Sequence, residues 1–203
     1  MHIRTCAEAG VFGATVGISP DARTWHECQH DHMQTDTEVL HDGSSVSIRP
    51  LQKQDVELER RFIEGLSPQS RRYRFLCSLV TPSDALLTQL TDLDPQREAA
   101  LIAVVEEQGR TREVGVARFS GAPDGKAEIA VTVSDEWQHK GLGTALMKRL
   151  IGLARNRGIR EFYSIDASGN DHMRKLAEHL GFHSKTDPED ATQVIYTLQL
   201  DRA

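Results

Sequence analysis

The sequence has few cysteines, no long hydrophobic run and no excess of basic residues. Its 203 residues include three cysteines, and an odd number without a Cys-x-x-Cys pair does not build a disulfide framework. We therefore predict a reducing, cytoplasmic location. No apolar run approaches the ~18 residues that a membrane-spanning helix needs, so we predict no membrane partner.

The chain also lacks the charge pattern of a nucleic-acid-binding protein. Lys and Arg number 24 against 30 Asp and Glu, which gives a formal net charge of −6 at pH 7. Proteins that bind nucleic acid usually carry a basic excess or a basic stripe, and neither occurs here, so no nucleic-acid partner is predicted. The hydrophobic content of 38% is enough for the core of one domain.

The first 44 residues carry no sustained helical or strand period. We predict that residues 1–44 form a flexible or loosely packed N-terminal extension and that residues 45–203 form one domain. Met33 is a candidate for the true start of the chain. Residues 25–32 concentrate histidine, cysteine and acidic side chains, but their spacing matches no zinc site, so no metal is predicted.

Beyond residue 45, apolar periodicity and capping residues predict closely spaced elements. Strands are predicted at residues 46–51, 99–106, 113–119, 126–133, 161–165, 182–184 and 193–200. Helices are predicted at residues 55–66, after Ser67, after Thr81 or Ser83, and at residues 141–157 and 170–180. The three central strands indicate an antiparallel meander, and the strand after helix 141–157 indicates a parallel crossover.

A glycine-containing loop joins the third strand of the meander to the long helix. Gly141 and Gly143 lie at the start of that helix, where unpaired N–H groups and the helix dipole favour an anion such as a phosphate. A tight strand-to-helix turn that uses glycine for structural reasons alone is the alternative. A Rossmann site is excluded by the missing third glycine, and a P-loop by the missing Gly-Lys-Ser/Thr.

Two motifs in this region resemble those of a known enzyme family. The loop Gln138-x-x-Gly141-x-Gly143 resembles the pyrophosphate motif of the GNAT N-acetyltransferases. Downstream, the helix that begins at Asn170 and closes on Gly181-Phe182 is similar to the next motif of that family. The resemblance covers about residues 45–200. It implies an α+β (α/β/α) GNAT fold: a mixed central sheet of six to seven strands, with a splay between strands four and five, flanked by helices.

A narrower resemblance concerns residues 66–75, which read LSPQSRRYRF. This segment looks like one in bacterial Pat-type protein lysine acetyltransferases, as do residues 97–104 and 127–131. The match is to the catalytic domain of those enzymes. It implies an acetyl-CoA-dependent N-acetyltransferase that moves an acetyl group to a primary amine, with a protein lysine as the first hypothesis.

Several questions stay open at this level. A small-amine acetyltransferase and a non-catalytic acyl-CoA-binding sensor module are the alternative functions, because the glycine loop is common to all three. The identity of the amine acceptor, the acyl-chain preference and the formation of a homodimer are not determined by the sequence.

The family resemblance also implies which residues contact the acetyl-CoA cosubstrate. The backbone of the third meander strand would bind the pantetheine arm and the thioester carbonyl. The N–H groups of the glycine loop would bind the pyrophosphate, and Lys140 would add a point charge. The implied cofactor-binding residues are Val131, Thr132, Val133, Gln138, His139, Lys140, Gly141, Leu142, Gly143, Thr144, Asn170 and Met173.

Glu128 is the candidate general base. It alternates with Ala130 and Thr132 on one face of its strand, and a carboxylate on an apolar strand face suits proton transfer near neutral pH. The Pat-type resemblance points to the same residue, and a solvent-facing strand residue is the alternative. Many GNAT enzymes have, at the position of Ala177, a tyrosine that protonates the leaving thiolate. This chain lacks that tyrosine, which leaves Tyr163, Ser164 or water as the acid.

Overall fold

The structure, a computed structural model, describes residues 36–77 and 81–200. Its strands are β1 (Asp36–Val39), β2 (Ser45–Pro50), β3 (Glu98–Glu107), β4 (Arg110–Gly121), β5 (Lys126–Val133), β6 (Glu161–Ala167), β7 (His183–Thr186) and β8 (Gln193–Gln199). Its α-helices are α1 (Val56–Gly65), α2 (Pro68–Phe75), α3 (Asp84–Thr91), α4 (Leu142–Asn156) and α5 (Asp171–Leu180).

The strands form one mixed sheet of eight strands in the order β1-β2-β3-β4-β5-β6-β8-β7. All neighbouring pairs are antiparallel except β5 and β6, which are parallel and are joined by the crossover helix α4. The predicted α+β class is confirmed. The sheet has eight strands rather than the predicted six to seven, because the additional edge strand β1 precedes β2.

The alternation of side chains along the strands builds a core on each face of the sheet. On β3, Leu101 and Ala103 face the layer that contains α4 and α5, whereas Ile102 and Val104 face α1 and α3. Both faces of β3 are therefore buried, which explains its nearly continuous apolar sequence.

Strand β1 lies inside the predicted extension of residues 1–44. Asp36–Val39 pairs with β2, and Leu40 is buried in the core beneath α4. For residues 36–44 the predicted boundary is therefore wrong, because this segment is part of the sheet. The strand has four residues with mostly exposed side chains, so it shows no apolar alternation in the sequence. Residues 1–35, with Met33 and the segment 25–32, lie outside the described residues.

The predicted capping residues are confirmed at the helices that border the site. The Ser67 hydroxyl accepts a hydrogen bond from the Ser70 N–H at 3.1 Å and starts α2. The Asn170 side chain accepts one from the Met173 N–H at 3.2 Å and starts α5. Gly181, in the left-handed conformation at φ 81°, ends α5.

Three further observations bear on the composition-based predictions. Cys77 is disulfide-bonded, so the odd cysteine count does not exclude a disulfide in this chain. None of the helices in residues 36–77 and 81–200 is both long and apolar enough to cross a membrane. The same residues contain no group of three or more His, Cys, Asp or Glu side chains that could hold a metal ion.

Strands β5 and β6 separate after a short paired segment. Their register joins Lys126 to Glu161, Ala127 to Phe162 and Glu128 to Tyr163. Beyond Glu128 the described sheet contains no further pair between these strands, although β5 continues to Val133 and β6 to Ala167. This is the predicted splay. Within the described sheet it leaves residues 130–133 of β5 without a neighbouring strand on the β6 side.

Candidate active site

A cleft of about 480 Å³ occupies the open end of the splay. Its walls come from α2, the second half of β5, the glycine loop, the start of α4, the end of β6 and α5. Most of the predicted cofactor-binding residues line it: Val131, Thr132, Val133, Gln138, His139, Gly141, Leu142, Gly143, Thr144, Asn170 and Met173. The fold thus brings together residues that are up to 42 positions apart, from Val131 to Met173.

The N-terminus of α4 forms one wall of the cleft. Gly141 is its N-cap residue, and its φ of 93° is a conformation that favours glycine. No side chain among the described residues caps this helix end, and its first turn contains no acidic residue. The first N–H groups of the 15-residue helix are therefore free to bind an anion in the cleft.

Gln138 connects the glycine loop to the end of β5. Its side-chain amide donates a hydrogen bond to the Val133 carbonyl at 3.1 Å. This bond holds the start of the loop against the half of β5 that has separated from β6. The Gln of the motif therefore has a visible structural role, in addition to lining the cleft.

Asp135 attaches α2 to the exit of β5. Its carboxylate accepts hydrogen bonds from the Ser67 N–H at 2.9 Å, the Ser67 hydroxyl at 2.7 Å and the Ser70 hydroxyl at 2.7 Å. Burial opposes ionisation of Asp135, but these hydrogen bonds outweigh it and lower the pKa of the carboxyl. The segment resembling Pat-type enzymes is thus fixed beside the cleft by its two serines.

Lys140 is the predicted cofactor residue that does not line the cleft formed by the described residues. Its ammonium group forms a salt bridge with Asp42 at 3.0 Å and lies 4.6 Å from the centre of the Trp137 ring. Hydrogen bonds from Ser44, followed by the contact with Lys140, lower the pKa of Asp42 to about 2. The structure does not bring Lys140 into the cleft with the rest of its loop.

One side of α5 adds basic residues to the cleft. His172, Lys175 and His179 all line it, and the rings of His139 and His172 meet edge to face with centroids 4.6 Å apart. His172 and His179 are exposed, and their position at the cleft was not predicted from the sequence. His172, Lys175 and His179 are spaced by three and four residues, which aligns their side chains on one helix face. This spacing was the available signal.

Two further elements, α2 and β6, contribute side chains to the cleft. Tyr73 and Arg74 of α2 line the cleft, and the Tyr73 hydroxyl donates a hydrogen bond to the Gly169 carbonyl at 3.0 Å. Asp166 of β6 also lines it and is 2% exposed. Its carboxylate accepts a hydrogen bond from the Ser164 hydroxyl at 2.7 Å. Asp166 was not found from the sequence, and its alternation with the predicted residue Ser164 on one face of β6 was the available signal.

Glu128 lies at the closed end of the splay. It is 3% exposed, so it is not a solvent-facing strand residue, and it is the last residue of β5 that pairs with β6. Glu128 does not line the cleft of the described residues. Its partner in the register is Tyr163, whose pKa is raised by burial and then by the nearby charge of Glu128.

Two other positions bear on the choice of the acid, and both are more deeply buried than Tyr163. Ser164 has no exposed surface, and its hydroxyl group donates a hydrogen bond to the Asp166 carboxylate. Ala177, at the position of the usual family tyrosine, is 1% exposed within the core between α5 and the sheet. Tyr163 is therefore the predicted stand-in that is adjacent to Glu128 and partly exposed.

Comparison with known proteins identifies the family. The sequence model of the acetyltransferase (GNAT) family matches residues 69–182, which span the cleft from α2 to the end of α5. The chain belongs to the GNAT acetyltransferase family. It is therefore an N-acetyltransferase, and enzymes of this family generally use acetyl-CoA.

Individual relatives agree with this assignment. The chain is 47% identical to the acetyltransferase PA5475 of Pseudomonas aeruginosa over 80% of its own length and 88% of the relative. It is 33% identical to the acetyltransferase Pat of Mycolicibacterium smegmatis over 68% of its length, and this match spans 41% of Pat. Its fold matches the GNAT domain of S. lividans PAT with a TM-score of 0.75 at 27% identity, covering 82% of this chain and 97% of that domain.

Proposed function

We propose that this enzyme transfers the acetyl group of acetyl-CoA to the side-chain amine of a protein lysine. The observation that carries the proposal is the coincidence of two features in one cleft. An uncapped helix N-terminus with a glycine loop lies beside the edge of β5 from which β6 has separated. A pyrophosphate and an amide-containing arm are the parts of acetyl-CoA that these two surfaces suit.

The proposed contacts follow from this arrangement. The N–H groups of residues 139–144 would bind the pyrophosphate, and the backbone of Val131, Thr132 and Val133 would bind the pantetheine arm and the thioester carbonyl. Asn170 and Met173 would border the arm on the α5 side, since both line the cleft. The absence of acidic residues from the first turn of α4 suits a polyanionic ligand.

Glu128 is the proposed general base. It would accept a proton from the acceptor ammonium group, and the neutral nitrogen would then attack the thioester carbon, breaking the C–S bond. Because Glu128 lies beyond the cleft lining, one bridging water would carry the proton to it. The CoA thiolate would receive a proton from the hydroxyl group of Tyr163, because a phenol is protonated near neutral pH.

The choice of a protein lysine as the acceptor depends on similarity. The α2 segment that resembles Pat-type enzymes lines the cleft through Ser70, Tyr73 and Arg74 and is held there by Asp135. The names of the relatives PA5475 and Pat specify acetyltransferases, and the S. lividans protein is a PAT GNAT domain. A small-amine acceptor on the same scaffold is the alternative, because GNAT folds accept many amines.

Two assays test the proposal. Thermal unfolding is measured with acetyl-CoA first: at a concentration of about 100 times its Kd it should stabilise the protein by about 2.7 kcal/mol. Release of free CoA thiol is then measured with protein substrates and with a panel of polyamines and other small amines. Turnover with protein lysines only is expected. Turnover with small amines only would contradict the lysine assignment, and binding without turnover would indicate a sensor module.

A further inference from the structure

The turn between β1 and β2 contacts the glycine loop directly. We call residues 40–44 the N-terminal turn. The His41 N–H donates a hydrogen bond to the Lys140 carbonyl at 3.0 Å, and the Asp42 carboxylate pairs with the Lys140 ammonium group at 3.0 Å. The turn closes on itself through the Gly43 N–H and the Leu40 carbonyl, 3.0 Å apart. Both the backbone and the side chain of Lys140 are therefore held from outside the loop.

The loop backbone is strained at the point where the turn contacts it. His139 has a φ of 62° and Gly141 a φ of 93°, so left-handed residues flank Lys140 on both sides. Glycine adopts this conformation readily, but histidine does so at a cost of order 1 kcal/mol. Such a conformation persists only where surrounding contacts enforce it.

The contacts around Lys140 hold the loop in this conformation. Its ammonium group is fixed between the Asp42 carboxylate and the Trp137 ring. The His41 ring covers the α-carbon of Gly141 so closely that a Cβ at this position would lie 2.9 Å from it. The side chains of the N-terminal turn thus occupy two sides of the loop.

The turn itself is anchored to the helix that the loop starts. Arg149 of α4 bonds Asp36 at 2.7 Å and Glu38 at 2.8 Å, both on β1, and Leu40 is buried beneath the same helix. Strand β1 therefore connects the sheet edge, the middle of α4 and the loop at its N-terminus. A segment with mostly exposed side chains is thus held by polar contacts to α4, whose uncapped N-terminus faces the cleft.

We propose that the N-terminal turn is a positioning element that holds the glycine loop in its strained, phosphate-binding conformation. Asp42 and His41 act through Lys140 and Gly141, and they do not touch the acetyl-CoA. This inference rests on the proposed cofactor site. It predicts that loss of the turn contacts weakens acetyl-CoA binding and raises KM but leaves the rate of acetyl transfer at saturation unchanged.

The test uses a double-mutant cycle in the full chain. Asp42→Asn should raise the Kd for acetyl-CoA about fivefold, the lower end of what one strained residue costs. In a His139→Gly background, where glycine accepts the positive φ freely, the same Asp42→Asn change should alter the Kd by less than about twofold. Asp36→Asn is the matched control, because it removes a carboxylate from the same segment and from a contact with α4, distant from the loop.

Two readouts decide the outcome. Isothermal titration gives the Kd in all variants, and backbone ¹⁵N relaxation of residues 139–141 is measured without ligand. Lower order parameters in Asp42→Asn, with wild-type values in Asp36→Asn, are expected. An unchanged or tighter Kd in Asp42→Asn, or the same loss in both His139 backgrounds, would overturn the inference. Relaxation tests the turn without acetyl-CoA, so failure of the wild type to bind acetyl-CoA would remove the proposed function separately.

Discussion

Two glutamates lie buried on the α1 side of neighbouring strands, in different surroundings. Glu113 of β4 and Glu128 of β5 are both 3% exposed. Glu113 faces the carboxylate of Glu59 and the guanidinium of Arg118; burial and then Glu59 raise its pKa well above the ordinary value. Glu128 instead lies where β5 separates from β6, beside the partly exposed residue Tyr163.

The comparison teaches that burial of a carboxyl group does not by itself identify a reaction site. Glu113 belongs to a layer of charges closed by α1, in which Arg118 binds Glu59 at 3.0 Å and the Leu90 carbonyl at 2.9 Å. A second cavity of about 570 Å³ touches Glu113, but its lining contains no residue of the glycine loop or of α5 among those described. Position at the splay distinguishes Glu128.

The largest expected difference between the two glutamates is in turnover. Glu128→Gln should lower kcat by a factor of about 10²–10⁴, because it removes the proposed proton acceptor while keeping the shape of the side chain. Glu113→Gln is the matched control and should keep wild-type kcat. Both are measured by thiol release at saturating acetyl-CoA. An equal loss of kcat in the two variants, or no loss in Glu128→Gln, would contradict the distinction between the two glutamates.

The next largest effect is expected in the affinity for acetyl-CoA, at the glycine loop. Gly143→Val should raise the Kd for acetyl-CoA by about two orders of magnitude, because the added side chain would occupy the approach to the N–H groups. A Cβ at Gly143 meets nothing closer than Leu176 at 3.5 Å, so the protein itself accommodates it. Titration of Gly152→Val, on the same helix and with open space around its Cβ, is the control and should show wild-type affinity.

The side chain beside Glu128 gives a smaller expected effect. Tyr163→Phe should lower kcat about tenfold and leave the Kd for acetyl-CoA unchanged, since water replaces the phenol as the acid less efficiently. Tyr196→Phe, a buried tyrosine of β8 whose pKa is also raised by burial, is the control. Wild-type kcat for Tyr163→Phe from neutral to alkaline pH would assign the proton transfer to water.

The smallest effect concerns stability at Glu113. Because its pKa is higher in the folded than in the unfolded chain, the folded state binds more protons between the two values, and wild-type stability falls as pH rises through that window. Glu113→Gln should remove this loss and be more stable by about 1 kcal/mol at neutral pH, with little difference near pH 4. Urea unfolding at both pH values measures it; a gain independent of pH would contradict the assignment.

Most of the fold was predictable because its signals are local. Period-two and period-3.6 apolar patterns and the caps Ser67, Ser83 and Asn170 predict all the described strands and α-helices except one. Strand β1 was missed because pairing and ion pairs with Arg149 hold it, and such contacts leave no periodic pattern. The layer of charges around Glu113 was missed because of an irregularity in the pairing of β3 with β4. Their register shifts between Ala103 and Val104, and this shift changes the face of the sheet on which the following β4 side chains lie.

The candidate site was predictable to the extent that it follows from the backbone. The loop and β5 lie where the motif predicts because glycine conformation and strand ends fix them. Lys140 was predicted to face the phosphate, but its side chain is directed by Asp42, which is 98 residues earlier in the chain. His172 and His179 reach the cleft through the orientation of α5, a tertiary property.

The central claim is that acetyl-CoA binds along the open half of β5 and the glycine loop. Backbone amide chemical shifts in a ¹H–¹⁵N spectrum, recorded during titration with acetyl-CoA, test it most directly. The account predicts that the largest changes fall on residues 131–133 and 139–144, with much smaller ones at Glu113 and Arg118. Changes centred on the layer beneath α1, or no saturable change at millimolar acetyl-CoA, would contradict it.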